Sequence, residues 1–190
     1  MTANCDYPPW QQPSHPQLVR VHRTPGQFAS YATSLVSLPA GSVFSPITNH
    51  FFIKQRTWPS VEAANGMHID LNSDLFYVNH SCAPSLEYDV NKMEVRVSRD
   101  RDLHRGDLLT FFYPSTEWHM VQPFECTCKE RGCLGMIMGA SELGKGALKK
   151  YWLNTHIEKR LESQAEGKME YSNGQGGRRN VDSVDQSVMV

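Results

Sequence analysis

The chain has no surplus of charge of either sign: 19 Lys and Arg stand against 20 Asp and Glu, a formal net charge of -1 over 190 residues. That balance gives no general pull toward nucleic acid or an anionic membrane. The basic pair Arg178-Arg179 is too small to alter this, so no direct nucleic-acid partner is expected. Long apolar runs are missing as well. None approaches the roughly 20 residues of a membrane-spanning helix, so no membrane partner is expected. The first 16 residues have no basic start and no apolar stretch, and do not read as a secretory signal. The eight histidines show no H-x-x-x-H or H-E-x-x-H spacing, which argues against a catalytic zinc hydrolase. A G-x-S-x-G nucleophile turn and a phosphate-binding glycine loop are absent too. No internal repeat is visible.

What is present fits one folded domain with tails: 39% of residues are hydrophobic and 21% charged, ordinary values for a globular chain. Residues 1–16 are rich in Pro and Gln and read as a lead that is flexible or orders on contact. Short β-like runs follow, including Leu18–Val21, Ser42–Phe44, Phe51–Ile53, Leu86–Val90 and Met93–Val97. The last two alternate apolar and polar residues, the mark of half-buried strands, and Val90-Asn91-Lys92-Met93 reads as the hairpin turn between them. Pro39-Ala40-Gly41 and Arg105-Gly106-Asp107 read as further turns. One helix is expected over 141–161, with Leu148, Tyr151, Trp152 and Ile157 toward its apolar face and Gly144 and Gly146 weakening its start. Residues 163–190 have almost nothing to bury and read as a disordered tail.

The five cysteines are an odd count, and three crowd into Cys126-Thr127-Cys128 and Cys133, a C-x-C-x4-C pattern. Disulfides between thiols so close in sequence are strained. Three thiolates can instead wrap one tetrahedral zinc at about 2.3 Å each, with a fourth ligand from elsewhere. Gly132 supplies loose backbone for such a knuckle. Cys82 and Cys5 are the candidates for the fourth ligand. Cys82, set within Asn79-His80-Ser81-Cys82, is favoured over Cys5 in the lead. Metal-binding thiols suit a reducing, intracellular compartment, cytoplasmic or nuclear.

Three segments now stand in order: F-Y-V-N-H-S-C-A-P-S at 76–85, G-D-L-L-T-F-F-Y at 106–113 and C-T-C-K-E-R-G-C-L-G-M-I at 126–137. Together they resemble the SET-domain family, specifically the compact SET and post-SET proteins of the lysine methyltransferase type. The matching family motifs are N-H-S-C-x-P-N, G-E-E-L-T-x-D-Y and the post-SET cysteine knuckle. The resemblance spans roughly residues 20–157, and Leu153-Asn154-Thr155-His156-Ile157 is similar to the end of that subgroup. It implies a mainly β fold with few helices: a SET β-fold with a threaded, pseudoknotted C-terminal segment, a zinc knuckle and a C-terminal helix. The implied divisions are a lead (1–16), a SET-like domain (17–121), a post-SET knuckle and helix (122–162) and the tail (163–190).

The resemblance also implies chemistry: methyl transfer from S-adenosylmethionine to a lysine or other amine, of a protein or of a small molecule. By position, Tyr113 matches the catalytic tyrosine. Gly26, Tyr77, Asn79 and His80 fall where the cofactor is held. Phe111 matches the position that helps set how many methyl groups fit, and the aromatic density around it, Phe124 included, would supply the wall of a substrate channel. Cys82, Cys126, Cys128 and Cys133 match the structural zinc ligands.

Departures from the pattern bear on these expectations. The family's cofactor loop reads G-x-G-x-F-A; here the nearest stretch is Thr24-Pro25-Gly26-Gln27-Phe28-Ala29, with one glycine. An alternative alignment puts Ala29, Ser30 and Tyr31 over the loop, where Tyr31 would take up cofactor space. Ser85 replaces the last asparagine of N-H-S-C-x-P-N, and Phe112 replaces an aspartate. Only about 30 residues separate Phe44 from Phe76, short for a peptide-binding platform. Two other functions therefore stand beside methyl transfer. One is a SET-like enzyme that tailors a metabolite by cyclisation, isomerisation or condensation, in which Glu117 and His119 would serve as acid and base. The other is a non-catalytic peptide-binding module.

Overall fold

The computed structural model describes residues 10–26, 29–57 and 60–173, and within them the chain is mainly β with two helices. Cys5 lies outside the described residues. β1 (Val19–His22) and β2 (Tyr31–Ser34) form an antiparallel pair in which His22 faces Tyr31. The two rings stack at 4.6 Å. β3 (Val43–Pro46) follows the Pro39–Gly41 turn, where Gly41 takes a φ of 74° that favours glycine. β4 (Phe51–Ile53), β5 (Val61–Glu62) and β6 (His68–Asp70) make a small antiparallel sheet in the order β4-β6-β5.

The central sheet adds β7 (Asn79–His80), β8 (Leu86–Asp89), β9 (Glu94–Val97) and β10 (Thr110–Phe111) to β3, in the order β3-β9-β8-β10-β7. β10 is the last of these in sequence, yet it lies between β7 and β8 and runs parallel to both. β8 and β9 form the hairpin read from their alternation, with Asp89 opposite Glu94. The Asp89 carboxylate accepts the N–H groups of Asn91 and Lys92 at 3.2 and 3.1 Å, which closes the turn. The expectation of a half-buried strand holds for β9 and fails for β8, where even Glu87 and Asp89 are buried. On the second face Glu87 accepts the Arg99 N–H at 3.1 Å and Asp89 is taken up by the turn, while Asn154 caps the edge of β8. Asn154, fully buried, donates to the carbonyls of Tyr88 and Ser115 at 2.8 and 3.0 Å and accepts the N–H of Val90 at 3.0 Å.

Beyond β10, β11 (Phe124–Glu125) pairs with β12 (Met136–Ile137). The single helix expected over 141–161 is two: α1 (Ala140–Leu148) and α2 (Thr155–Asn173). Gly144, at φ 74° and ψ 161°, kinks α1. Trp152, assigned to the helix face, lies in the connection, with the Arg99 guanidinium 5.5 Å from its ring centre. α2 runs past Ser163 into the stretch read as disordered. Gly139 is required before α1, because a Cβ there would collide with the Trp118 carbonyl.

Phe111 and Phe112 are adjacent and serve different cores. Phe111 joins the main core with Leu86, Tyr88, Val95 and Leu109. Phe112 points the other way, into a second core with Ala140, Leu148, Ile157 and Leu161, and stacks on Tyr151 at 3.6 Å. In the described part of the lead, Trp10, Gln12 and the Ser14 main chain donate to the buried Asp74 carboxylate at 3.1, 2.9 and 2.6 Å. No helix among the described residues is long and apolar enough to cross a membrane.

Candidate active site

Two segments far apart in sequence build the cysteine cluster. Cys82 sits in the connection from β7 to β8; Cys126, Cys128 and Cys133 come from the stretch between β11 and β12. Their four sulfurs lie within 4.8 Å of one another, and Cys82 is 4.0 Å from both Cys126 and Cys133. Tetrahedral zinc with bonds of about 2.3 Å needs sulfurs about 3.8 Å apart, so the donor set fits. None of the four is in a disulfide. The N–H of Leu134 points at Cys82 Sγ and that of Gly135 at Cys133 Sγ, both at 3.4 Å, which orients the two sulfurs. Gly135 reaches this geometry with a φ of 75°.

His80 stands between this cluster and Tyr113. Its Nδ1 accepts the main-chain N–H of Tyr113 at 3.3 Å, and its Nε2 is 3.5 Å from Cys82 Sγ. Burial lowers its pKa to about 4, so the ring is neutral. Tyr113 lies beside His80 (ring centres 5.3 Å apart), Phe111 (4.6 Å) and Phe124 (6.0 Å). Its hydroxyl makes a long contact, 3.5 Å, to the Val78 carbonyl. Burial, with Glu117 nearby, raises its pKa above the ordinary phenol range, which leaves a neutral O–H donor. The parallel register Thr110 to Asn79 and Phe111 to His80 brings these groups together.

Asn79 ties β7 to the β1–β2 connection by donating to the Ser30 carbonyl at 3.0 Å. That connection spans residues 23–30, and in it Gly26 adopts a φ of 115°. Tyr31 lies in β2 against His22. Tyr77 is placed differently from the other candidates. Its ring belongs to the main core, edge-on to Phe76 at 5.1 Å and Trp10 at 6.3 Å.

Glu117 and His119, considered as an acid–base pair, take different partners. His119 is exposed and holds Glu142 and Ser141 at 2.7 and 2.8 Å. Glu117 is buried and accepts the Glu62 N–H at 2.7 Å, while Glu62 accepts the Trp118 N–H at 2.9 Å and pairs with Arg160 at 2.5 Å. Burial, with the Glu62 carboxylate beside it, pushes Glu117 up to about 8. Glu62, His68 and Arg160 line an open cleft of about 500 Å³ with Arg56, Trp118 and His119. Sequence reading did not single out Glu62, His68 or Arg160. Each lies far from Glu117 in the chain and in no motif.

No family model matches the chain. Over 151 residues it is 52% identical to "Methyltransferase flvH" of Aspergillus flavus, a match covering 80% of this chain and 85% of that protein. The chain belongs to the same methyltransferase family as flvH.

Proposed function

We propose that the protein is an S-adenosylmethionine-dependent N-methyltransferase of SET type that acts on a lysine or other amine. The observation that best supports this is the position of β10 between β7 and β8, which carries Tyr113 to His80, itself 3.5 Å from Cys82 of the four-cysteine cluster. A threaded C-terminal segment is the reading of that strand order. The name of the relative supports methyl transfer.

When bound, S-adenosylmethionine supplies a methyl group on a positive sulfur, which an amine lone pair displaces in line. Gly26, Asn79 and His80 would hold it. The positive φ of Gly26 gives the backbone close approach, and the Asn79–Ser30 bond keeps the loop against β7. Tyr77, with its ring committed to the core, contributes main chain alone. Tyr113 and the Val78 carbonyl orient the amine at near-attack distance. The amine must arrive without its proton. A lysine holds that proton with a pKa of about 10.4 in water, and the aromatic walls of Phe111 and Phe124 lower it by desolvation. Cys82, Cys126, Cys128 and Cys133 would hold a structural zinc that fastens the C-terminal segment to β7.

The test is turnover. Zinc-loaded protein is incubated with S-adenosylmethionine and a panel of free amines and lysine peptides, and S-adenosylhomocysteine is quantified. Amine-dependent product supports the reading. None across the panel, with the fold confirmed, would overturn it.

A further inference from the structure

We propose that His80 is a positioning residue, a rigid strut that couples the four-cysteine centre to Tyr113; its importance for turnover rests on the function proposed above. The main-chain N–H of Tyr113 donates to His80 Nδ1 at 3.3 Å. A main-chain N–H can only donate, so Nδ1 carries the lone pair and the ring proton sits on Nε2. Nε2 is 3.5 Å from Cys82 Sγ, so this N–H donates to the sulfur. One imidazole therefore spans from a zinc-type ligand to the backbone of the residue offered as the methyl-transfer tyrosine.

The ring has little room to turn away. Phe112, Tyr113 and Phe124 surround it with centroids at 5.7, 5.3 and 5.6 Å. The register that sets His80 opposite Phe111 fixes its backbone as well. Fixing Cys82 in a metal site thus fixes the imidazole, and the imidazole fixes where the chain turns out of β10 into Tyr113. In the other direction, a hydrogen bond to a ligating thiolate adjusts metal affinity, typically by about 10–100-fold.

Three variants separate the two ends of the strut. His80→Phe keeps a ring and removes both bonds. Zinc affinity, measured by competition with a chromophoric chelator, should fall about 10–100-fold, and the Tyr113 amide should exchange with deuterium about tenfold faster. His80→Gln places an amide N–H near the Nε2 position and should recover zinc affinity alone. His80→Asn places an acceptor near the Nδ1 position and should recover Tyr113 protection alone. Wild-type zinc affinity and wild-type Tyr113 exchange in His80→Phe would overturn the proposal. Should that variant not fold, the imidazole nitrogen spectrum of the zinc-loaded wild-type protein decides: a proton on Nε2 supports the strut, and a proton on Nδ1 overturns it. None of these readouts uses methyl transfer. A protein that passes them but methylates nothing contradicts the proposed function and leaves the strut standing.

Discussion

The main-chain N–H of Glu62 donates to the Glu117 carboxyl group at 2.7 Å, and Glu62 in turn accepts the N–H of Trp118 at 2.9 Å. Two carboxyl groups are thereby held in one buried corner, next to Arg160.

This corner predicts a pH dependence. Glu117 is pushed from 4.5 up to about 8 by burial and by Glu62. Between those two values the folded chain holds a proton that the unfolded chain has released. Its contribution to stability is fully present below the lower value and is lost as pH rises to the upper one, at up to about 1.4 kcal/mol per pH unit. Glu117→Gln keeps the accepting oxygen and removes the titration. Urea unfolding of both proteins across this range should show the wild type losing stability relative to the variant as pH rises. Parallel curves would contradict the assignment.

Asn154→Ala should be costly. It strips partners from the Val90 N–H and from the carbonyls of Tyr88 and Ser115, all buried under the segment before α2. Unfolding free energy should drop by about 2–4 kcal/mol. A loss below about 0.5 kcal/mol, the size of an ordinary surface change, would show that β8 does not depend on this edge cap.

Legibility in the sequence followed range. The β8–β9 hairpin and the Gly41 turn were readable because alternation and turn residues act over a few positions. The cysteine cluster was readable because C-x-C-x4-C is local and Cys82 stands in a motif of its own. Tyr113, His80, Phe111 and Phe124 do meet in space, although it takes the insertion of β10 between two earlier strands to bring them together. The Glu62–Glu117 contact was not readable, since it spans 55 residues and leaves no periodic trace. Docking of Trp10, Gln12 and Ser14 on Asp74 was only half readable. Its anchors are mostly hydrogen bonds to one carboxylate, and such bonds do not appear as an apolar pattern. The kink inside α1 falls at Gly144, a glycine legible as a weak helix position but not as a bend, and the break from Leu148 to Thr155 carries no glycine or proline to announce it.

Zinc should be found at about one per chain in unchelated protein. Cys82→Ser should lose most of the metal and expose the segment from 124 to 137 to protease, because the binding energy of a structural zinc is largely folding energy. Elemental analysis and limited proteolysis report the two effects. A metal-free wild-type preparation that resists protease equally well would contradict a structural zinc.

Phe112 and Tyr113 are neighbours with different duties. Phe112→Leu loses the stack on Tyr151 in the second core and should lower stability by about 1–2 kcal/mol. Tyr113→Phe removes one oxygen and keeps the ring packing, so the fold should survive while turnover falls. A single oriented donor in a dry site is worth about 2.7–4 kcal/mol of barrier, on the order of a hundredfold or more in rate. Near-full activity in Tyr113→Phe would reduce Tyr113 to a core residue.

The central claim, that this fold binds S-adenosylmethionine beside Tyr113, is tested most directly by calorimetric titration of the zinc-loaded protein with that cofactor. The account predicts one site per chain, a Kd of about micromolar order, and a Tm that rises with cofactor concentration by mass action. A flat titration with folded, zinc-loaded protein would contradict it.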